Sequence, residues 1–164
     1  MKTKIDKQEV LDALRRRLTD VLDGLVEAQK TVQDGAVHPE ARQEHPKDTR
    51  ATEASYLARG LAERVEKSRD GVTAASAMRL RTFGADDPLA IGALIGLLDE
   101  EDRESVVFLA PAGGGEKLEV GGATVLVLTP ASPLGAALAG RLVGDEVEVE
   151  LPVGKRIASI DWAA

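Results

Sequence analysis

The chain has 164 residues, 43% apolar and 30% charged, enough for one ordinary domain or two small ones. The absence of cysteine excludes disulfides, thiolate metal sites and cysteine nucleophiles, and no uninterrupted apolar run is long enough to span a bilayer. The net charge of −7 is uneven: residues 1–70 balance 14 Lys/Arg against 14 Asp/Glu, residues 71–164 set 7 against 14, and neither half carries a basic nucleic-acid footprint.

Aromatic side chains are confined to Tyr56, Phe83, Phe108 and Trp162, too few for a base-stacking platform or an aromatic-lined pocket. Met1–Asp6 lacks the apolar core of a signal peptide, so a cytoplasmic protein without a membrane segment is expected. From there the pattern is helical. Leu11, Leu14, Leu18, Val21, Leu25, Ala28 and Val32 alternate at spacings of three and four, an a/d seam with charged residues on the other faces. Gly35 reads as the C-cap that ends it.

Residues 36–47 carry no periodicity and are punctuated by Pro39 and Pro46, which cannot sit inside a continuing helix. Asp48 or Thr49 offers an N-cap for a second seam, Ala54, Ala58, Leu61, Val65, Ser68 and Val72. Two matched seams joined by a short connection predict an antiparallel coiled-coil hairpin over residues 4–73, its tip near residues 36–53. A first helix of roughly 30 residues would be a rod about 45 Å long. Two helices bury only one stripe each, so such a rod needs a partner or a second domain.

The second domain is expected over residues 78–163. Ile91–Leu98 is apolar but glycine-interrupted and leaves helix and strand open. Ser105–Ala110 reads as a buried strand, and Gly113–Gly115 as a hairpin turn without the Lys-Ser/Thr of a phosphate loop. Lys117–Val120 and Ala123–Leu128 read as strands around Gly121-Gly122. Ser132-Pro133 opens a short helix with Leu134, Leu138 and Leu142 on one face. Glu146–Leu151 alternates strictly as a half-buried strand does, and Arg156–Trp162 supplies a last strand. The class is α+β, with a small antiparallel sheet and at least one short helix.

Individual polar clusters carry little chemistry. His38 and His45 lack a third ligand at a fitting spacing, and Asp99–Glu104 reads as a solvated helix end or loop. Asp48 and Glu53 stand at the loop end of the hairpin, where a helix cap and an early-turn acid would account for both.

The segment from Thr129 to Gly154 resembles the C-terminal signature of the GreA/GreB transcript-cleavage factors. It contains Ser132-Pro133-x-Gly135-x-x-Leu138-x-Gly140, then Val143-Gly144-Asp145-x-Val147-x-Val149, then Pro152-x-Gly154. The preceding helical hairpin agrees with that family in length, order and position, while residues 74–104 fall outside the resemblance. The resemblance implies an FKBP-like C-terminal domain that docks at the rim of the RNA polymerase secondary channel, with Ser132, Pro133 and Leu134 at the contact. It implies a coiled coil that enters the channel, where tip acids, here Asp48 and Glu53, help hold a Mg²⁺ ion shared with the polymerase active site. The expected function is that of a bacterial elongation factor, monomeric and not itself an enzyme, that stimulates polymerase to cleave backtracked nascent RNA near its 3′ end.

Arg42, Lys47 and Arg50 are the candidates for contact with RNA or channel phosphates, against a role as ordinary exposed basic residues. The tip departs from the family pattern, in which the two acids stand three residues apart. Asp48 and Glu53 are separated by five, which on a helix turns their side chains apart but leaves convergence open if Asp48 belongs to the loop. A non-cleaving secondary-channel regulator is the alternative, and a scaffold whose coiled coil binds another partner is a third.

Overall fold

Asp6 begins the ordered helical structure: its Oδ1 accepts a hydrogen bond of 2.8 Å from the Gln8 backbone N–H, capping the first helix. The computed structural model describes residues 4–37 and 49–164. Helix α1 spans Lys7–Val37 and helix α2 spans Thr49–Ala77, forming the long helical hairpin. Gly35 is an interior residue of α1 and not its C-cap, since the helix continues to Val37. The helical cost of an interior glycine is only about 1 kcal/mol, which thirty neighbouring hydrogen-bonded residues readily outweigh.

The chain divides into two compact units, Arg17–Thr73 and Met1–Arg16 with Ala74–Ala164. In the first, Leu18 and Val65 are buried, while Val21, Leu25, Leu61 and Val72 are half-buried along the expected seams. Burial fades toward the tip, where Ala28, Val32 and Ala54 are exposed.

In the second unit the start of α1 and the end of α2 are joined through Arg15. Its Nε donates to the Ala75 carbonyl at 3.0 Å, and its Nη2 donates to the carbonyls of Ser76 and Met78 at 3.2 and 3.1 Å. The last carbonyls of a helix have no partner within it, and α2 has no basic residue in its last turn. The Arg15 guanidinium supplies both the donors and the positive charge favoured at that end. Nearby, Lys7 donates to the Arg81 carbonyl, and the Lys7 ammonium and Arg81 guanidinium stand 5.1 and 4.2 Å from the centre of the Phe83 ring. Burial, and then the charge of Arg81, lower the Lys7 pKa below the ordinary lysine value.

The sheet contains β1 (Leu94–Asp99), β2 (Glu104–Leu109), β3 (Lys117–Val120), β4 (Ala123–Leu128), β5 (Glu146–Leu151) and β6 (Gly154–Ala163). Their spatial order is β3-β4-β2-β1-β6-β5. Neighbours are antiparallel except β2 and β4, which run parallel. The expected antiparallel sheet is therefore antiparallel-dominated but mixed. Gly113–Gly115 is not a hairpin turn, because β2 and β3 lie on opposite sides of β4. Its positive φ values, +83° at Gly113 and +90° at Gly115, instead redirect the chain over the end of the sheet.

Helix α3 (Pro133–Leu138) connects β4 to β5 at the far edge. It ends sooner than the leucine spacing implies: Ala139 caps it and Gly140 takes φ +81°, leaving Leu142 beyond the helix. Leu138 enters a core that includes Leu89, Ile95, Val107, Leu109 and Ile160. Val143-Gly144-Asp145 has a structural reason to be there. Gly144 turns at φ +93°, the Asp145 carboxylate accepts from the Leu142 N–H at 2.9 Å, and Ile160 exchanges backbone bonds with both Gly144 and Asp145.

Candidate functional site at the α3 lip and the hairpin tip

Ser132 is the N-cap of α3. Its Oγ accepts from the Gly135 N–H at 3.1 Å and donates to the Thr129 carbonyl at 2.8 Å, so one hydroxyl ties the strand end to the helix start. Pro133 follows at the first helical position, where a missing N–H costs nothing. Gly135 is needed because a Cβ there would lie 2.0 Å from the Thr129 carbonyl oxygen. The result is a rigid lip on which Pro133 is exposed and Leu134 half-buried.

That lip borders an open groove of about 510 Å³ on one face of the sheet. Leu97, Leu126, Leu128, Val147 and Val149 are among the side chains that make its wall apolar, and Asp99, Arg103, Glu104 and Arg156 are the charged groups around it. The three candidates Ser132, Pro133 and Leu134 are thus brought together on one concave feature.

Of the charged groups beside the groove, Asp99, Arg103 and Glu104 belong to the run that reads in the sequence as a solvated helix end or loop, and Arg156 carries no sequence signal of its own. Asp99 organises the β1–β2 turn, accepting from the backbone N–H groups of Glu101 and Arg103 at 2.9 and 3.0 Å and from the Arg103 Nε at 2.9 Å. Those bonds, led by the Arg103 N–H, hold its carboxyl below the usual carboxylate range. The acidic run Asp99–Glu104 is a hydrogen-bonded turn, and Asp102 adopts φ +57° within it. Glu104 accepts from the Trp162 indole N–H at 2.9 Å.

At the hairpin tip, Arg50 and Glu53 lie exposed in the first turns of α2. Further along, the Arg59 guanidinium stands 5.9 Å from the centre of the exposed Tyr56 ring. Asp48, Lys47 and Arg42, like His38 and His45, lie outside the described residues. Among the described residues no group of three or more carboxylate or imidazole side chains could hold a metal ion, and no helix is long and apolar enough to cross a membrane.

Residues 85–161 match the family described as "Transcription elongation factor, GreA/GreB, C-term". That match begins inside residues 74–104, which the signature motifs leave uncovered. The chain is 32% identical over 74 residues to transcription elongation factor GreA of Rhodospirillum rubrum, spanning 45% of this chain and 44% of that protein. It is 27% identical over 158 residues to GreA of a Sulfurovum species, spanning 96% of this chain and 94% of that one. Among solved structures, GreA factor homolog 1 of Thermus thermophilus aligns over 93% of this chain and 95% of its own, at 20% identity and a TM-score of 0.41. The GreA/GreB factor of Nitrosomonas europaea aligns over 70% of this chain and 93% of its own, at 16% identity and a TM-score of 0.36. Residues 85–161 thus belong to the GreA/GreB family of transcription elongation factors, and the chain as a whole, with its helical hairpin preceding the sheet domain, is similar to GreA along nearly its full length.

Proposed function

We propose that the chain binds bacterial RNA polymerase through its C-terminal domain, presents its helical hairpin to the secondary channel, and stimulates cleavage of backtracked nascent RNA. The observation that carries the docking reading is the placement of Ser132, Pro133 and Leu134 together on the lip of an open apolar groove. A preformed lip loses little conformational entropy on association, and an apolar recess gives a partner side chain somewhere to bury.

The catalytic reading rests on the tip acids. Mg²⁺ prefers six oxygen ligands, so Asp48 and Glu53 fit a site completed by polymerase carboxylates and by RNA better than one built by this chain alone. When bound there, the ion supplies a lowered pKa for an attacking water and charge stabilisation for the cleaved phosphodiester. Glu53, exposed on α2, is free to offer a hard oxygen donor without prior unfolding. Arg50, with Arg42 and Lys47, would hold RNA phosphates near the tip.

A second reading is a secondary-channel regulator that binds without cleaving, favoured by the five-residue separation of Asp48 and Glu53. Binding to core polymerase, followed by fluorescence of a labelled chain, tests the reading common to both. A Leu134→Asp variant is expected to bind at least about tenfold more weakly, because it places a charge where an apolar contact is needed. Failure of the wild-type chain to bind polymerase would sink both readings and leave the coiled coil to another partner.

A further inference from the structure

We propose that Arg156 is a specificity contact of the docking groove, and that the polymerase segment seated there presents a carboxylate next to the apolar side chain that fills the groove. This rests on the docking reading above and goes beyond the Ser132–Leu134 lip.

The argument begins with the pleat. Across the antiparallel β5–β6 pair, Arg156 stands opposite Val149, and Ala158 opposite Val147. Directly opposed residues share a face, so Arg156 belongs to the same face as buried Val147 and Val149, which line the groove. Glu146, Glu148 and Glu150 alternate onto the other face, where Lys155 reaches Glu148 at 2.6 Å. Strand alternation thus places one arginine on the groove side and the acidic residues of β5 behind it.

Of the four charged side chains lining the groove, three are already engaged. Asp99 and Arg103 pair with one another at 2.9 Å, Arg103 also reaches Glu101 at 3.2 Å, and Glu104 accepts from Trp162. Arg156 has neither a hydrogen bond nor an ion pair among the described residues. The groove therefore offers an apolar wall with one uncompensated cation at its edge. A guanidinium in that position matches a carboxylate bidentately. Nucleic acid is the poorer occupant, because the second half of the chain carries 14 acidic against 7 basic residues and repels a polyanion at long range.

The test uses the full chain and core polymerase. Arg156 is exposed and unpaired, so Arg156→Gln and Arg156→Glu are expected to keep the wild-type melting temperature. Arg156→Glu should weaken binding about tenfold and Arg156→Gln less, with reduced salt dependence in both. In Arg156→Lys, a zero-length carbodiimide should join residue 156 to a polymerase aspartate or glutamate neighbouring an apolar residue, a product missing from Arg156→Gln. Wild-type binding with an unchanged Arg156→Glu variant would overturn the inference and leave the docking reading standing. No binding by the wild type would overturn both. Single-stranded RNA that binds the isolated chain and is released by Arg156→Glu would assign the cation to a phosphate and also overturn it.

Discussion

The Cβ that Gly96 lacks would lie 2.0 Å from Nε1 of Trp162, across the β1–β6 pair. The indole covers the Gly96 backbone and donates to Glu104, and the register of the pair shifts between Gly96 and Leu97. An empty position on one strand thus seats the chain's single tryptophan on the next. Gly96→Ala should push the indole away and cost about 1–3 kcal/mol, as overfilling a packed site does. Thermal melting and the Trp162 emission maximum report it, and an unchanged emission with an unchanged melting point would refute the packing.

Arg15 is expected to matter more than an exposed helical arginine ordinarily does. Arg15→Met keeps helix propensity and stem packing but strands the carbonyls of Ala75, Ser76 and Met78. The expected loss is about 1–3 kcal/mol, or roughly 2–4 °C of melting temperature per kcal/mol in a chain of this size. Arg16→Met, on an exposed residue of the same turn, is the control and should change little.

Ser132→Ala removes the acceptor for the Gly135 N–H and the donor to Thr129, at a cost of about 1 kcal/mol. Ser132→Thr should recover most of it. If the lip docks on polymerase, the alanine variant should also bind more weakly than its small stability loss explains. Equal affinity for polymerase would reduce Ser132 to a helix cap.

The Asp99 carboxyl is held below its ordinary value by hydrogen bonds that only the folded turn provides. A depressed folded pKa contributes stability above the unfolded value and loses it as pH falls through the folded one. The β1–β2 turn should therefore loosen only on acidification below the usual carboxylate range, and Asp99→Ala should remove that dependence. Carboxyl titration by NMR checks the direction. A pKa at or above that of an unstructured aspartate contradicts it.

Strand alternation and the Ser132 cap of α3 are legible in the sequence because both are local, whereas the glycine that reads as the cap of α1 lies inside that helix. Lys117–Val120, Ala123–Leu128 and Glu146–Leu151 stand where their patterns place them, and Ser132-Pro133 opens α3. What was not legible depends on partners distant in sequence. The parallel β2–β4 pair follows from where the chain crosses over, which Gly113–Gly115 does not encode. Leu142 was assigned to α3 by spacing, but Gly140 and the Asp145 side chain turn the chain first. The groove arises only when β1, β2, β4, β5, β6 and α3 meet, so nothing in the sequence singles out Arg156 beyond its place at the start of the last strand.

The central claim, that this hairpin stimulates cleavage by polymerase, is tested most directly on a reconstituted backtracked elongation complex with Mg²⁺. The labelled transcript is followed with polymerase alone, with the wild-type chain, and with Asp48→Ala or Glu53→Ala. The account predicts faster shortening of the RNA with the wild type, and a rate returned to that of polymerase alone by either substitution. Binding to the complex with no acceleration of cleavage would contradict it and leave the non-cleaving regulator.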